Sequence, residues 1–253
     1  MRWSWRKKTN EALLADIRPG LQQQLGKEGP EDQEDPAMIY TIMCGGTYTV
    51  FDEPKQLSVV KGERLVERTI RLLREEGAQD IRISSNDPRF DEFGVPRLEN
   101  PENQYTSVAG VISGYWLDAF WPDFPEDTRV TFIFGDVWFT EAAIREIVHH
   151  QDDEKNILWG TGIATNPQHR NWGEPFAYRV NDYKTFMAGV RIVKSLQDAG
   201  KLKRQGLVWE LYRCINGLDV NTQRVLPGDT YRIIDDGTID CDEPERVKEL
   251  NEQ

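Results

Sequence analysis

The chain has 253 residues, with 43 acidic side chains against 31 basic ones and a formal net charge of −12. That balance excludes broad nucleic-acid binding, which needs a basic surface, and no apolar run approaches the roughly 20 residues needed to cross a bilayer. Cys44, Cys214 and Cys241 are too few and too scattered for a disulfide framework or a zinc site. A reducing, cytoplasmic setting is expected, because the basic start at Arg2, Arg6, Lys7 and Lys8 lacks the apolar segment of a secretory signal.

Residues 1–37 form an extension. Met1–Ile17 carries Trp3, Trp5, Leu13, Leu14 and Ile17 at the spacing of a short amphipathic helix, which Pro19-Gly20 ends. The acidic run Glu31–Asp35 before Pro36 reads as a linker. Two readings stay open here: a disordered tail, and a docking helix for a partner or a second copy of the chain, with the tryptophans as anchors.

From residue 38 the pattern predicts one α/β domain reaching residue 253. Ile39–Met43 is a short strand, Glu63–Glu76 a helix stopped by Gly77, and Asp80–Ser84 a strand with alternating isoleucines. Such a β-α-β unit builds a parallel sheet with ligands at the carboxyl ends of its strands. A long loop over Asn86–Tyr105 follows, then a helix over Val108–Phe120 and a buried strand over Arg129–Phe134. Helices are predicted over Glu141–His149, Tyr183–Ala199, Trp209–Ile215 and Glu243–Glu252, and strands over Asn156–Ile163, Pro175–Val180 and Tyr231–Ile239.

Three places at strand ends carry candidate chemistry. Cys44-Gly45-Gly46-Thr47 follows the first strand, with Lys55 shortly after. Unscreened main-chain N–H groups there can cradle phosphates and the ammonium can neutralise them, although Gly-Gly after a strand is also an ordinary turn. Asp136 directly follows the buried strand; it suits a hard cation such as Mg²⁺, or equally a cap for the next helix. Asp240 and Asp242 are two apart, so on an extended segment they face one way, or else simply precede the closing helix at Pro244. His149 and His150 suit a helix end, and Trp209 and Tyr212 suit a core more than a pocket.

In this order the segments resemble the nucleotidyltransferase family, the α/β enzymes that include sugar-1-phosphate nucleotidylyltransferases, cytidylyltransferases and molybdenum-cofactor guanylyltransferases. Cys44-Gly45-Gly46-Thr47 with Pro54-Lys55-Gln56-Leu57 and Gly62 is similar to the family's glycine loop; Phe134-Gly135-Asp136 is similar to its central metal motif; Asp240-Cys241-Asp242-Glu243-Pro244-Glu245 is similar to its closing acidic run. The resemblance implies a Rossmann-like three-layer sandwich with a mostly parallel central sheet, the nucleotide-diphospho-sugar transferase type. It also implies Mg²⁺-dependent transfer of a nucleotidyl group from an NTP to a phosphorylated small molecule, commonly a sugar phosphate, with release of pyrophosphate.

Carried over residue by residue, Lys55, Asp136 and Asp242 are the catalytic set, and Asp136 and Asp242 hold the metal. Cys44, Gly45, Gly46, Thr47, Ser85 and Asn86 receive the nucleotide, and Glu174 touches a sugar hydroxyl. Tyr48 and Val50 stand where the family has a small residue and a triphosphate-gripping Arg, with Arg64 and Arg179 as candidate replacements. That departure motivates the alternative of a non-catalytic nucleotide-binding or assembly protein that keeps the fold. A nucleotide-sugar-dependent glycosyltransferase is the other alternative, disfavoured because Val137-Trp138 follows Asp136 in place of a second acid.

Overall fold

The computed structural model describes residues 38–45, 51–99, 106–108, 111–120, 124, 126, 128–151, 155–162, 173–222 and 228–253. The reading of residues 1–37 lies outside the described residues, as do Gly46, Thr47, Tyr48, Val50 and His169.

In chain order the elements are β1 (Met38–Met43), β2 (Val59–Val60), β3 (Glu63–Arg64), α1 (Leu65–Glu75), β4 (Asp80–Ser84), β5 (Arg97–Leu98), β6 (Thr106–Val108) and β7 (Val111–Ser113). They continue with β8 (Arg129–Phe134), β9 (Val137–Trp138), α2 (Glu141–His149), β10 (Ile157–Gly160), β11 (Pro175–Val180) and α3 (Tyr183–Asp198). The last are α4 (Val208–Ile215), β12 (Tyr231–Ile233), β13 (Ile239–Asp240) and α5 (Pro244–Glu252). Seven strands form the main sheet in the order β12-β10-β11-β8-β1-β4-β5. All neighbours run parallel except β11, which is antiparallel to both β10 and β8.

The central strands are buried from Ile39 to Met43 in β1, from Val130 to Phe134 in β8 and from Phe176 to Val180 in β11. This explains their nearly continuous apolar runs. Phe132 and Tyr178, cross-strand partners, pack against Phe186 of α3. The next partners along, Thr131 and Arg179, face the opposite way; Arg179 donates to the carbonyls of Ile147 and His150 at the end of α2. Side chains alternate across a strand, so α2 and α3 cover opposite faces and the architecture has three layers.

Local signals set the helix boundaries. α1 ends where Gly77 takes φ of 91°, a left-handed value open to glycine, and where the Gly77 and Ala78 amides return to the carbonyls of Arg74 and Leu73. Thr140 caps α2 by accepting from the Ala143 amide at 3.0 Å, and Asp182 caps α3 by accepting from the Thr185 amide at 2.9 Å.

The helix expected over Val108–Phe120 does not form. β6 and β7 pair antiparallel there, and a 3₁₀ turn follows at Trp116–Ala119. Gly110 and Gly114 weaken a helix in that span, while Val108, Val111 and Ile112 favour a pleated backbone. The strand expected over Tyr231–Ile239 splits into β12, on the sheet edge, and β13, which leaves the sheet to pair with β9. Among the described residues, no helix is long and apolar enough to cross a membrane.

Candidate active site

The first strand delivers Cys44 and Gly45 to the carboxyl end of the sheet, where the Cys44 amide donates to the Ser84 carbonyl at 2.9 Å. On the other side of β1, β8 ends in Gly135-Asp136, and the Gly135 amide bonds the Met43 carbonyl at 3.1 Å. A Cβ at Gly135 would lie 2.8 Å from both Cys44 Sγ and the Met43 carbonyl oxygen, so only glycine lets the two strand ends come this close. Pro54 then leads into a one-turn 3₁₀ helix over Lys55–Leu57, seated by the buried Leu57.

The last acidic segment arrives by main-chain pairing. β13 lies antiparallel on β9, with Asp240 opposite Val137, and the Cys241 amide donates to the Asp136 carbonyl at 2.9 Å. Asp136, Asp240 and Asp242 thereby each offer a carboxylate oxygen within 4.8 Å of the others. Lys55 Nζ spans the group, pairing with both Asp136 and Asp242. Neither acid is used as a helix cap: Thr140 caps α2, and the N-cap of α5 is Glu243.

The electrostatics follow from this crowding. Burial alone would push the Lys55 ammonium down, but Asp136, Asp242 and Asp240 together hold it above its ordinary range. Asp240 is driven well above the usual carboxylate range by burial, then by the like charges of Asp136 and Asp242. The residue keeps some surface, but its Oδ1 is shut off from solvent without a hydrogen-bond partner. Burial pushes up both neighbouring thiols, with Asp136 adding to the effect at Cys44 and Asp240 and Asp136 at Cys241, which reaches about 12. Protonated thiols are poor ligands, so the available donors are oxygens alone. An all-oxygen set with a spare buried lone pair fits a hard divalent cation.

A stability consequence can be measured. An acid whose folded pKa is raised holds its proton where the unfolded chain has lost it, so stability falls as pH rises from about 4 toward the raised value. In EDTA at pH 7, Asp240→Asn should therefore be the more stable protein, by on the order of 1–3 kcal/mol, because it removes the charge that burial and the two neighbouring acids penalise. Urea unfolding of the two proteins at pH 4.5 and pH 7 checks this. Equal midpoints at pH 7 would refute the assignment.

Of the residues expected at the site, Lys55, Asp136 and Asp242 converge with Cys44 and Gly45 beside them. Gly135 packs on Cys44, and Gln56 Nε2 reaches the Gly45 carbonyl at 3.5 Å. Ser85 and Asn86 lie at the end of β4, level with Cys44 across the strand pair. The Ser85 hydroxyl accepts from the Asp87 amide at 3.1 Å and holds the following turn, whereas Asn86 is exposed. Glu174 sits near enough to act on the charge of Asp240.

Neither arginine proposed to replace the missing loop Arg joins the acids. Arg179 is buried, with its fork donating to Thr131 Oγ1 and to the carbonyls at the end of α2. Arg64 pairs with Glu92 and lines an open depression of about 530 Å³ with Glu53, Arg89 and Asp91. Trp209 and Tyr212 belong to the core, and His149 and His150 pair with Glu76 and Glu146. Asp240 joins the same group of acids, although sequence reasoning did not count it among the candidate ligands; its two-residue spacing from Asp242 already placed both on one side.

A mostly parallel sheet with acids gathered at its carboxyl end defines a Rossmann-like α/β nucleotide-handling class. Residues 40–202 match the MobA-like NTP transferase domain. The chain belongs to that family of nucleotidyltransferases. No curated protein matches the sequence.

Solved structures share the fold. A protein from Bacillus anthracis assigned as a glucose-1-phosphate thymidylyltransferase, in complex with sucrose, is similar with a TM-score of 0.55 and 17% identity over 85% of this chain and 94% of its own. The CTP:phosphocholine cytidylyltransferase LicC from Streptococcus pneumoniae gives 0.52 and 17% identity over 85% and 98%. Rv0371c from Mycobacterium tuberculosis gives 0.51 and 13% identity over 87% and 100%.

Proposed function

We propose that the chain transfers a nucleotidyl group from an NTP to a phosphorylated small molecule, a sugar phosphate by preference, releasing pyrophosphate in an Mg²⁺-dependent reaction. The convergence of Lys55 and three aspartates beside Gly45 carries this reading. The names of two similar structures support it, one specifying a sugar phosphate and the other phosphocholine. The unit is taken as residues 38–253, since Asp240 and Asp242 lie beyond residue 202, where the family match ends.

Asp136 and Asp242, with Asp240 alongside, would hold Mg²⁺, which when bound neutralises phosphate oxygens. The main chain at Cys44, Gly45, Gly46 and Thr47 receives the triphosphate. Lys55 donates from its ammonium to the oxygens that gain charge as the acceptor's phosphate attacks the α-phosphorus. Asn86 meets the base, Ser85 fixes the turn that presents it, and Glu174 accepts from a sugar hydroxyl. The chain forms no covalent bond to substrate; its work is positioning and charge neutralisation.

A second reading, nucleotide binding without turnover, draws on one observation: Arg64 and Arg179 are both engaged away from the acids. Incubation with each NTP, a panel of sugar-1-phosphates and phosphocholine, and Mg²⁺ separates the two. Pyrophosphate release with one pair is the expected result. Calorimetric NTP binding with no pyrophosphate from any pair favours the second reading, and neither binding nor turnover removes both.

A further inference from the structure

Two of the three acids, Asp240 and Asp242, sit on a short segment whose far end is tied to the segment bearing Lys55. We propose that Asn251, in the last turn of α5, is a positioning residue that sets the separation of Asp242 and Lys55; this rests on the reading given under Proposed function.

The tie begins at the β2–β3 turn. Lys61 and Gly62 connect the two strands with φ of 51° and 86°, and Lys61 is the one non-glycine with positive φ among the described residues. Two positive φ values give the tight hairpin turn that matches strand twist, at an energetic cost for a side chain such as lysine. Asn251 offsets that cost: its Oδ1 accepts from the Lys61 amide at 2.6 Å, and its Nδ2 donates to the carbonyls of Val59 and Val247, each at 3.0 Å. One carboxamide thus binds the hairpin on one side and its own helix on the other.

Those connections close a loop through the site. Val59 lies just past the 3₁₀ turn that carries Lys55, and Asp242 stands two residues before the start of α5. Lys55 pairs with Asp242 at one end of the loop, and Asn251 joins Val59 and Lys61 at the other. A small separate core fills the space between, formed by Val60, Leu65, Trp138, Cys241 and Leu250. Cys241 lies between the two acids and Leu250 precedes Asn251, so a shift of the helix end reaches the acids through packed side chains rather than a free chain. Binding sites held this way lose little entropy when they close on a ligand.

The test compares the full chain with Asn251→Ala, Asn251→Asp and, as a control on the same helix, Lys248→Ala. Asn251 is exposed, so its loss leaves the main core in place. Losing its bonds should raise the Mg²⁺ concentration for half-maximal rate and lower kcat, each by about five- to ten-fold, with KM for the acceptor unchanged. Asn251→Asp keeps the acceptor for Lys61 and should fall between, and Lys248→Ala should match the parent.

The readout apart from activity is hydrogen exchange at the Cys241 amide, which donates to the Asp136 main-chain carbonyl at the opposite end of the segment from Asn251. It should quicken by a similar factor in Asn251→Ala. Unchanged Cys241 exchange overturns the proposal, and so does faster exchange with unchanged kcat and Mg²⁺ response. If the parent chain turns over no NTP, the functional reading has failed, and the Cys241 exchange alone decides whether Asn251 governs the acids.

Discussion

Replacing Asp136 with Asn should cut kcat by at least about 10³-fold while leaving the chain folded. The side chain caps no helix, since Thr140 serves α2, and the main-chain carbonyl of residue 136, which the substitution keeps, accepts from the Cys241 amide. Lys55 retains Asp242 as an ion-pair partner. What disappears is one negative charge at the point where three carboxylates meet. Pyrophosphate release and a thermal unfolding curve on the same samples read both halves. A rate within about ten-fold of the parent, with normal unfolding, would exclude Asp136 from a direct role.

Lys55→Met should also be severe, losing about 10²- to 10³-fold in kcat, but with a second signature. In the parent, the ammonium stands between Asp136 and Asp242 and offsets their repulsion. Methionine fills much of the stem's volume and leaves three acids facing one another. The variant should therefore be less stable in EDTA by about 1–3 kcal/mol, below the full cost of breaking a buried pair because Asp242 is 42% exposed. Divalent cation would then find more negative charge to bind, so Mg²⁺ should raise the variant's Tm by more than it raises the parent's. A smaller Mg²⁺ response than the parent's would show that Lys55 does not share the acids' charge.

The parts of this fold legible in the sequence were those decided locally. Gly77 marked the end of α1, and the short apolar run of β1 and that of β8 announced buried strands. The antiparallel course of β11 left no such trace, because a strand buried on both faces has the same composition whichever way it runs. The segment from Val108 to Phe120 misled by its apolar content, since periodicity outweighed the two glycines inside it. Arg179 misled differently: a charged residue in a strand suggested a ligand, whereas its guanidinium closes the end of a helix from within the core.

The site was legible only in part for a related reason. Lys55, Asp136 and Asp242 could be picked by their order along the chain, yet nothing in their spacing tells which strands are neighbours. Their meeting depends on β8 lying beside β1 and on β13 turning back to β9. Asn251 is harder still, because an exposed asparagine near a helix end is unremarkable until its partners are known.

The ladder between β9 and β13 has a kinetic consequence. It joins Val137 to Asp240, segments more than a hundred residues apart in the chain, by two residues of pairing on each side. So few contacts cannot repay the entropy of closing so long a loop until the large sheet has already drawn the ends together. The layered scaffold is thus expected to consolidate first and the acid cluster to assemble late, so the ion pairs of Lys55 with Asp136 and Asp242 should be among the last contacts to form in refolding.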